Sequence, residues 1–130
     1  MSYTIEGLRN FKINNLLDYS GDFKIFVDEE KDYIDTTWTA KSFMTLNYFM
    51  CKNTEFNWAK ILPAIDLNLD RMSSSEIHEF NEKLIDPKLC IEIFNERCII
   101  EKALEYDVNI HEKLSWLYIN WKKGFYIYYY

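Results

Sequence analysis

Apolar side chains recur at helical spacing through the back half of the chain and in short, alternating clusters near its front. Ser73-Ser74-Ser75-Glu76 opens a helix, because a serine three residues before a glutamate can form a reciprocal capping box. Ile77, Phe80, Leu84 and Ile85 then share one face. Asp86-Pro87 restarts the chain as a second helix: Asp caps, and Pro suits the first helical position, where an N–H has no partner in any case. Beyond it Leu89, Ile93, Ile100 and Leu104 form one stripe, widened by Cys90 and Phe94, which predicts a long helix. Asn109-Ile110-His111-Glu112 resembles a capping box with Asn109 as cap. Ile110, Leu114, Leu117 and Trp121 follow on one face, Lys122-Lys123 complements the helix dipole, and Gly124 is the stop. The two stripes are expected to bury against each other, Leu89, Ile93, Ile100 and Leu104 meeting Leu114, Leu117 and Trp121.

The front third reads as strand and loop. Asp22 to Val27 is a β-favouring run between Ser20-Gly21 and Asp28-Glu29-Glu30. The segment Leu8 to Leu17 alternates imperfectly and pairs with that run across Asp18-Tyr19-Ser20-Gly21, making a hairpin. Tyr33-Ile34 starts a third strand. Asp35-Thr36-Thr37 is an N-cap cluster, followed by Trp38, Thr45, Leu46 and Phe49 on a helix that runs to about Lys52. Thr54 caps a further helix carrying Trp58, Ile61, Leu62 and Ile65, which Pro63 breaks or kinks. Ile65 to Asp70 alternates strictly, so strand competes with helix over 61–70, and the pattern leaves both open. Phe125-Tyr126-Ile127-Tyr128-Tyr129-Tyr130 is β-favouring and too apolar to dangle in water. It returns as a strand beside the N-terminal β region, or it pairs with a second copy of the chain as an edge strand. The fold class is therefore α+β: a short N-terminal β hairpin or sheet region, then a mainly helical C-terminal half, in a single compact domain over residues 1–130.

Charge sharpens this picture. The chain carries 21 acids against 15 bases, for a net −6. Asp66 to Glu112 holds twelve acids and five bases, and Lys113 to the end has three lysines and no acidic side chain. An acidic stretch repels phosphate, so direct nucleic-acid binding is not expected, although lysines among the C-terminal rings resemble a single-strand stacking pattern. It suits a partner with a basic surface. No stretch approaches the roughly eighteen apolar residues of a spanning helix, and no signal peptide is visible, so neither membrane nor export is expected. Cys51, Cys90 and Cys98 are odd in number and lack framework spacing, which points to a reduced, cytoplasmic chain of the producing or host cell. Fifteen Ile, eleven Asn, twelve Lys and ten Tyr beside two Val and no Gln indicate an AT-rich genome, such as that of a phage, another virus or a low-GC bacterium.

Few residues form a chemical constellation. His78-Glu79-Phe80-Asn81-Glu82 approaches the HExxH zinc motif, with Glu82 in place of the second histidine and His111 elsewhere as a third ligand. Asp66-Leu67-Asn68-Leu69-Asp70 opens like a calcium loop, but Arg71 stands where the turn glycine belongs and Ile77 where the bidentate glutamate belongs. Cys90 and Cys98 fall on or beside the apolar face of their helix, and Cys51, at a helix end beside Lys52, has no histidine near it in sequence. No catalytic residue, cofactor or metal is assigned, and binding is favoured over enzymatic chemistry.

The expected function is inhibition by occlusion: an acidic protein-binding module that covers a basic partner such as a nucleic-acid-handling enzyme. Phage or viral anti-defence proteins, anti-CRISPR proteins among them, and toxin-immunity proteins act in this way. Glu92, Glu96, Glu101 and Glu105 are expected to meet the partner's basic groups, with Tyr126 and Tyr128 as aromatic anchors. A homodimer through the C-terminal aromatic segment is the companion expectation. The alternative is a small metal-dependent hydrolase or nuclease using His78, Glu82 and His111.

Overall fold

The first strand, β1 (Ser2–Leu8), is buried from Ile5 onward, the pattern of a strand with neighbours on both sides and cover on both faces. The computed structural model describes residues 1–16, 21–54 and 60–130 of the chain. β1 is followed by β2 (Lys12–Asn15), β3 (Phe23–Phe26) and β4 (Tyr33–Thr39), and the chain closes with β5 (Tyr126–Tyr129). β1 lies at the centre of a three-stranded sheet in the order β4-β1-β5, both neighbours antiparallel. The aromatic tail thus returns beside the N-terminal strand. β2 and β3 form a separate antiparallel pair, with Ile13 opposite Ile25. The expected hairpin is present in residues 12–15 and 23–26, while Leu8 belongs to β1; Leu17 and the turn residues 18–20 lie outside the described residues.

The α+β architecture is as expected, an N-terminal sheet region followed by a mainly helical C-terminal half in one compact domain. Several boundaries differ. Tyr33-Ile34 does open a strand, but Asp35-Thr36-Thr37 continues it instead of capping a helix, each residue paired with β1. Three threonines in five residues favour the pleated surface, and β1 supplies the partner that local capping chemistry would need to outbid. The helix α1 (Ala40–Thr54) starts later, with Thr39 Oγ1 accepting from the Ser42 N–H at 3.1 Å. Residues 61–70 form neither a regular strand nor a regular helix, apart from an isolated bridge between Ala64 and Tyr129. Pro63 C=O accepts from Tyr129 N–H at 3.0 Å and Ile65 N–H donates to Tyr129 C=O at 2.9 Å. Further along, Leu69 C=O accepts from Ile25 N–H at 3.0 Å. One irregular segment therefore occupies edge groups of both sheets, including those that β5 would present to another strand. The expected helix after Thr54, with Trp58, lies largely outside the described residues.

The helical half begins with α2 (Ser74–Lys83), which carries the full Ser73–Glu76 capping box, and α3 (Pro87–Glu96), capped by Asp86 at Lys88 N–H with Pro87 in the first turn. The expected long helix then divides. Cys98 sits at φ +51°, a left-handed conformation, and α4 (Ile99–Tyr106) starts a new phase. The predicted stripe is corrected on both helices: α3 turns its Pro87, Cys90 and Phe94 face inward, and the break shifts the buried face of α4 to Ile99 and Ala103. Cys90 and Phe94 are buried on α3, and Ile99 and Ala103 on α4, whereas Leu89 is exposed and Leu104 is 62% exposed. The last helix, α5 (Val108–Lys122), is capped by Asp107 rather than Asn109, since Asp107 Oδ1 reaches both Asn109 N–H and Ile110 N–H at 2.8 and 3.1 Å. Its inward face, Ile110, Leu114, Leu117 and Trp121, is as expected, and Gly124 ends it at φ +92°.

Alternation across the sheet assigns two cores. Ile5, Trp38, Phe125 and Ile127 face the helices, joining Phe43, Leu46, Phe49, Phe94, Leu114 and Leu117 in the larger one. Leu8 and Tyr128 point to the opposite face, where Ile25, Ile65, Met72 and Phe80 complete a smaller core under the β2–β3 pair and α2. Gly7 fits where the strands crowd: a Cβ there would meet Ile34 Cγ1 at 2.8 Å and Phe125 Cβ at 3.3 Å. Leu117→Ala is expected to destabilise the fold by about 2–5 kcal/mol and Gly7→Ala by about 1–3 kcal/mol through overpacking. Leu104→Ala should change stability by less than about 0.5 kcal/mol. Urea denaturation of the three variants checks the ranking, and an equal loss at Leu104 would contradict the helix phases described above.

Candidate functional site

Glu6 is one of two buried acids among the described residues. Its position in β1 places it on the smaller-core side of the sheet, directly opposite Tyr128 of β5 and Asp35 of β4. Burial reaches 92%, with 8% of its surface exposed. A carboxylate so removed from water needs compensation by hydrogen bonds or by a cation. Three phenols supply the hydrogen bonds. Tyr33 and Tyr130 both donate to Oε1, at 2.9 and 2.6 Å, and Tyr128 donates to Oε2 at 2.6 Å. The spacing explains the convergence. Tyr126, Tyr128 and Tyr130 lie on one side of β5 and its continuation, and Tyr130 is held opposite Thr4 by reciprocal backbone bonds of 2.9 and 3.0 Å. Tyr33 arrives from the other neighbouring strand, opposite Leu8.

These bonds hold the three phenols protonated. Burial first, then the bond to Glu6, pushes Tyr33 and Tyr128 well above the ordinary tyrosine range. For the more exposed Tyr130 the bond to Glu6 comes first and burial second, raising it to about 12. A phenolate here would lose its proton for donation and face a carboxylate. The network is thus an acceptor at its centre and a ring of committed donors around it.

A cleft of about 530 Å³ opens beside the network, between the sheet, the β3 strand with its continuation to Glu29, and residues 67–70. Glu6, Tyr33, Tyr128 and Tyr130 contribute its polar side, Leu8, Ile25, Val27, Leu67 and Leu69 its apolar lining. Lys24, Glu29 and Asp70 also line it, with Lys24 Nζ 3.8 Å from Asp70 Oδ1. The other buried acid of the N-terminal region, Asp32, is treated differently: Arg9 Nε donates to it at 2.9 Å. The same guanidinium bonds Lys123 C=O and Lys31 C=O and lies 4.4 Å over the Phe125 ring, joining the end of α5 to the sheet.

The residues singled out from sequence are dispersed. Glu92 and Glu96 are exposed on α3, and Glu101 and Glu105 on α4. Tyr126 is half-buried, edge-on to Phe11 at 6.0 Å between ring centres. Tyr128 is 1% exposed, with its hydroxyl on Glu6. His78 pairs with Glu82 at 3.0 Å on the exposed side of α2, while His111 on α5 has Ser115 Oγ 3.5 Å from its Nε2. Among the described residues no three of His, Cys, Asp and Glu are grouped to hold a metal ion. All three cysteines are free. Burial first, then the nearby Asp86 charge, pushes the Cys90 thiol up to about 12, so it is held as a thiol in the core.

Sequence reasoning missed Glu6. Its signal was present as the alternation Thr4-Glu6-Leu8 matched to Tyr126-Tyr128-Tyr130, since three phenols on one face of a strand require acceptors when covered. Compared with protein-family models, curated proteins and solved structures, the chain gives no significant match to any.

Two outcomes test the network. Tyr128→Phe should cost about 1.5–3 kcal/mol, the range for a hydrogen bond to a charged group. The pH dependence has a definite sign. Folded phenols titrating above the ordinary 10.0 contribute stability that is complete below about pH 10 and is lost as pH rises toward 12, the value for Tyr130. Denaturant titrations from pH 8 to pH 12 should show this decline in the wild type and a shallower one in the Tyr33→Phe, Tyr128→Phe, Tyr130→Phe triple variant. Parallel slopes would show that the phenols do not report folding.

Proposed function

We propose that this chain is an acidic protein-binding module that inhibits a partner by covering a basic surface, as phage or viral anti-defence proteins (anti-CRISPR proteins among them) and toxin-immunity proteins do. The observation that carries the reading is the outward side of α3 and α4. Glu92, Glu96, Glu101 and Glu105 stand exposed there, and none forms an ion pair among the described residues. Leu89 on α3, Leu104 and Tyr106 on α4 and Val108 at the start of α5 are all about half exposed or more. Apolar anchors set among unpaired charges suit a protein contact: desolvated side chains contribute affinity, and the charges steer the encounter and select a basic partner. Occlusion requires no catalytic group, and the partner's own nucleic-acid-holding residues would be the natural complement of the carboxylates.

The test has two stages. Tagged protein is used to capture the partner from the producing or host cell, and the complex is then titrated with salt. Binding should weaken as ionic strength rises, since exposed charges are screened beyond about 8 Å at physiological salt. Replacing all four of Glu92, Glu96, Glu101 and Glu105 by Lys should abolish inhibition while leaving the melting temperature within a few degrees of wild type. Salt-insensitive binding, or full inhibition by the charge-reversed protein, would remove this face from the contact.

A further inference from the structure

We infer that the cleft beside Glu6 is a cation-binding site that takes an alkylammonium or alkylguanidinium group, stem against its apolar wall and charge toward the carboxylate. Two acids near the sheet are buried, and they differ in their partners. Asp32 has Arg9 against it at 2.9 Å, whereas Glu6, equally buried, has only neutral phenols and no cationic side chain paired with it among the described residues. Hydrogen bonds from neutral donors lower the cost of burying a charge but leave the negative charge in place. The nearby cleft base, Lys24, is directed to Asp70 at 3.8 Å and the Phe26 ring at 5.3 Å, and Glu29 adds a further acid to the lining.

Hydrogen-bond capacity points the same way. A carboxylate has about four acceptor positions, and three are used: two on Oε1, one on Oε2. Tyr33 and Tyr130 have committed their only O–H to Glu6, so toward the cleft their oxygens can act only as acceptors. The Glu6–tyrosine floor accepts and does not donate, the side-chain donors elsewhere in the lining being Lys24 and Asn68. Such a floor favours a ligand with several N–H donors over a carboxylate or phosphate, which would bring further acceptors and a like charge to Glu6. Tyrosine rings attract cations in their own right. The leucines, Ile25 and Val27 supply the apolar surface that a short alkyl stem would cover, and about 530 Å³ lies within the range of small-ligand sites. The same chemistry is offered by a free amine and by a lysine or arginine side chain of another polypeptide. The site is independent of the α3–α4 face, so either can fail without the other.

Isothermal titration and amide-shift mapping on the whole protein test the assignment, with n-butylammonium and n-butylguanidinium as cations, n-butanol as neutral and butyrate as anionic control. Short glycine-flanked peptides with one lysine or one arginine form the second arm. One of the cations should bind at least about tenfold more tightly than butanol and butyrate, a difference of one decade in the dissociation constant, with shifts centred on residues 25–27 and 67–69. Glu6→Gln should abolish that preference. Because Glu6 is buried and its replacement can unfold the protein, Leu67→Trp, which fills the cleft from its wall, must also abolish binding while His78→Ala leaves it unchanged. Tighter binding of the peptides would place the natural cation on a polypeptide, tighter binding of the free amines on a small molecule, and both support the site. Equal affinity for cation and alcohol, absence of binding by every cationic probe, or shifts away from the cleft would overturn it.

Discussion

Removing a carboxylate from water obliges the rest of the molecule to provide for it, and here the providers come from opposite ends of the sequence. Glu6 lies at the centre of the three-stranded sheet, and its donors are contributed by both neighbouring strands. For Tyr128 and Tyr130 to reach it, the last residues must run antiparallel to β1 in one register, since a slip of one would turn the tyrosines to the helical side and Ile127 away from it. That register in turn positions Phe125 and Ile127 in the larger core and brings Lys123 C=O to Arg9. One buried charge thus selects the strand pairing, and the pairing orients α5 on the sheet.

What the sequence made legible was local. The Ser73–Glu76 box, the Asp86-Pro87 start and the Ile110, Leu114, Leu117, Trp121 face each depend on residues within a turn or two of one another. Two errors came from reading local chemistry where a distant partner decides. Asp35-Thr36-Thr37 has the composition of a cap, but pairing with β1 makes it strand. Between α3 and α4 neither Gly nor Pro marks the break, and the left-handed Cys98 resets the helical phase, so a stripe extended through it put Leu104 on the wrong side, while Leu89, ahead of the break, is exposed because α3 buries Pro87, Cys90 and Phe94 instead. The Glu6 site was illegible for the same reason in stronger form: its donors stand 27, 122 and 124 residues away.

The two acidic regions differ physically. The carboxylates of α3 and α4 are solvated, so their influence is long-ranged, shared and readily screened. Glu6 is a single charge in a poorly polarisable surrounding, where interactions are strong and confined to what enters the cleft. The first kind of charge is felt at a distance and the second only at contact.

The order of assembly follows from the position of β5. The β2–β3 pair and the capped helices close short loops, whereas β1 and β5 meet only after a loop of more than a hundred residues has been closed, with Tyr128 and Glu6 separated by 122 positions. Loop entropy grows slowly with length, yet contacts of high sequence separation slow folding because their cost precedes their reward. Until that closure β1 has an open edge and Glu6 remains hydrated, so the carboxylate loses its water only as the phenols arrive. The sheet is sealed by the same event that buries its charge, which couples a contact of 122-residue separation to the pairing least tolerant of a wrong register.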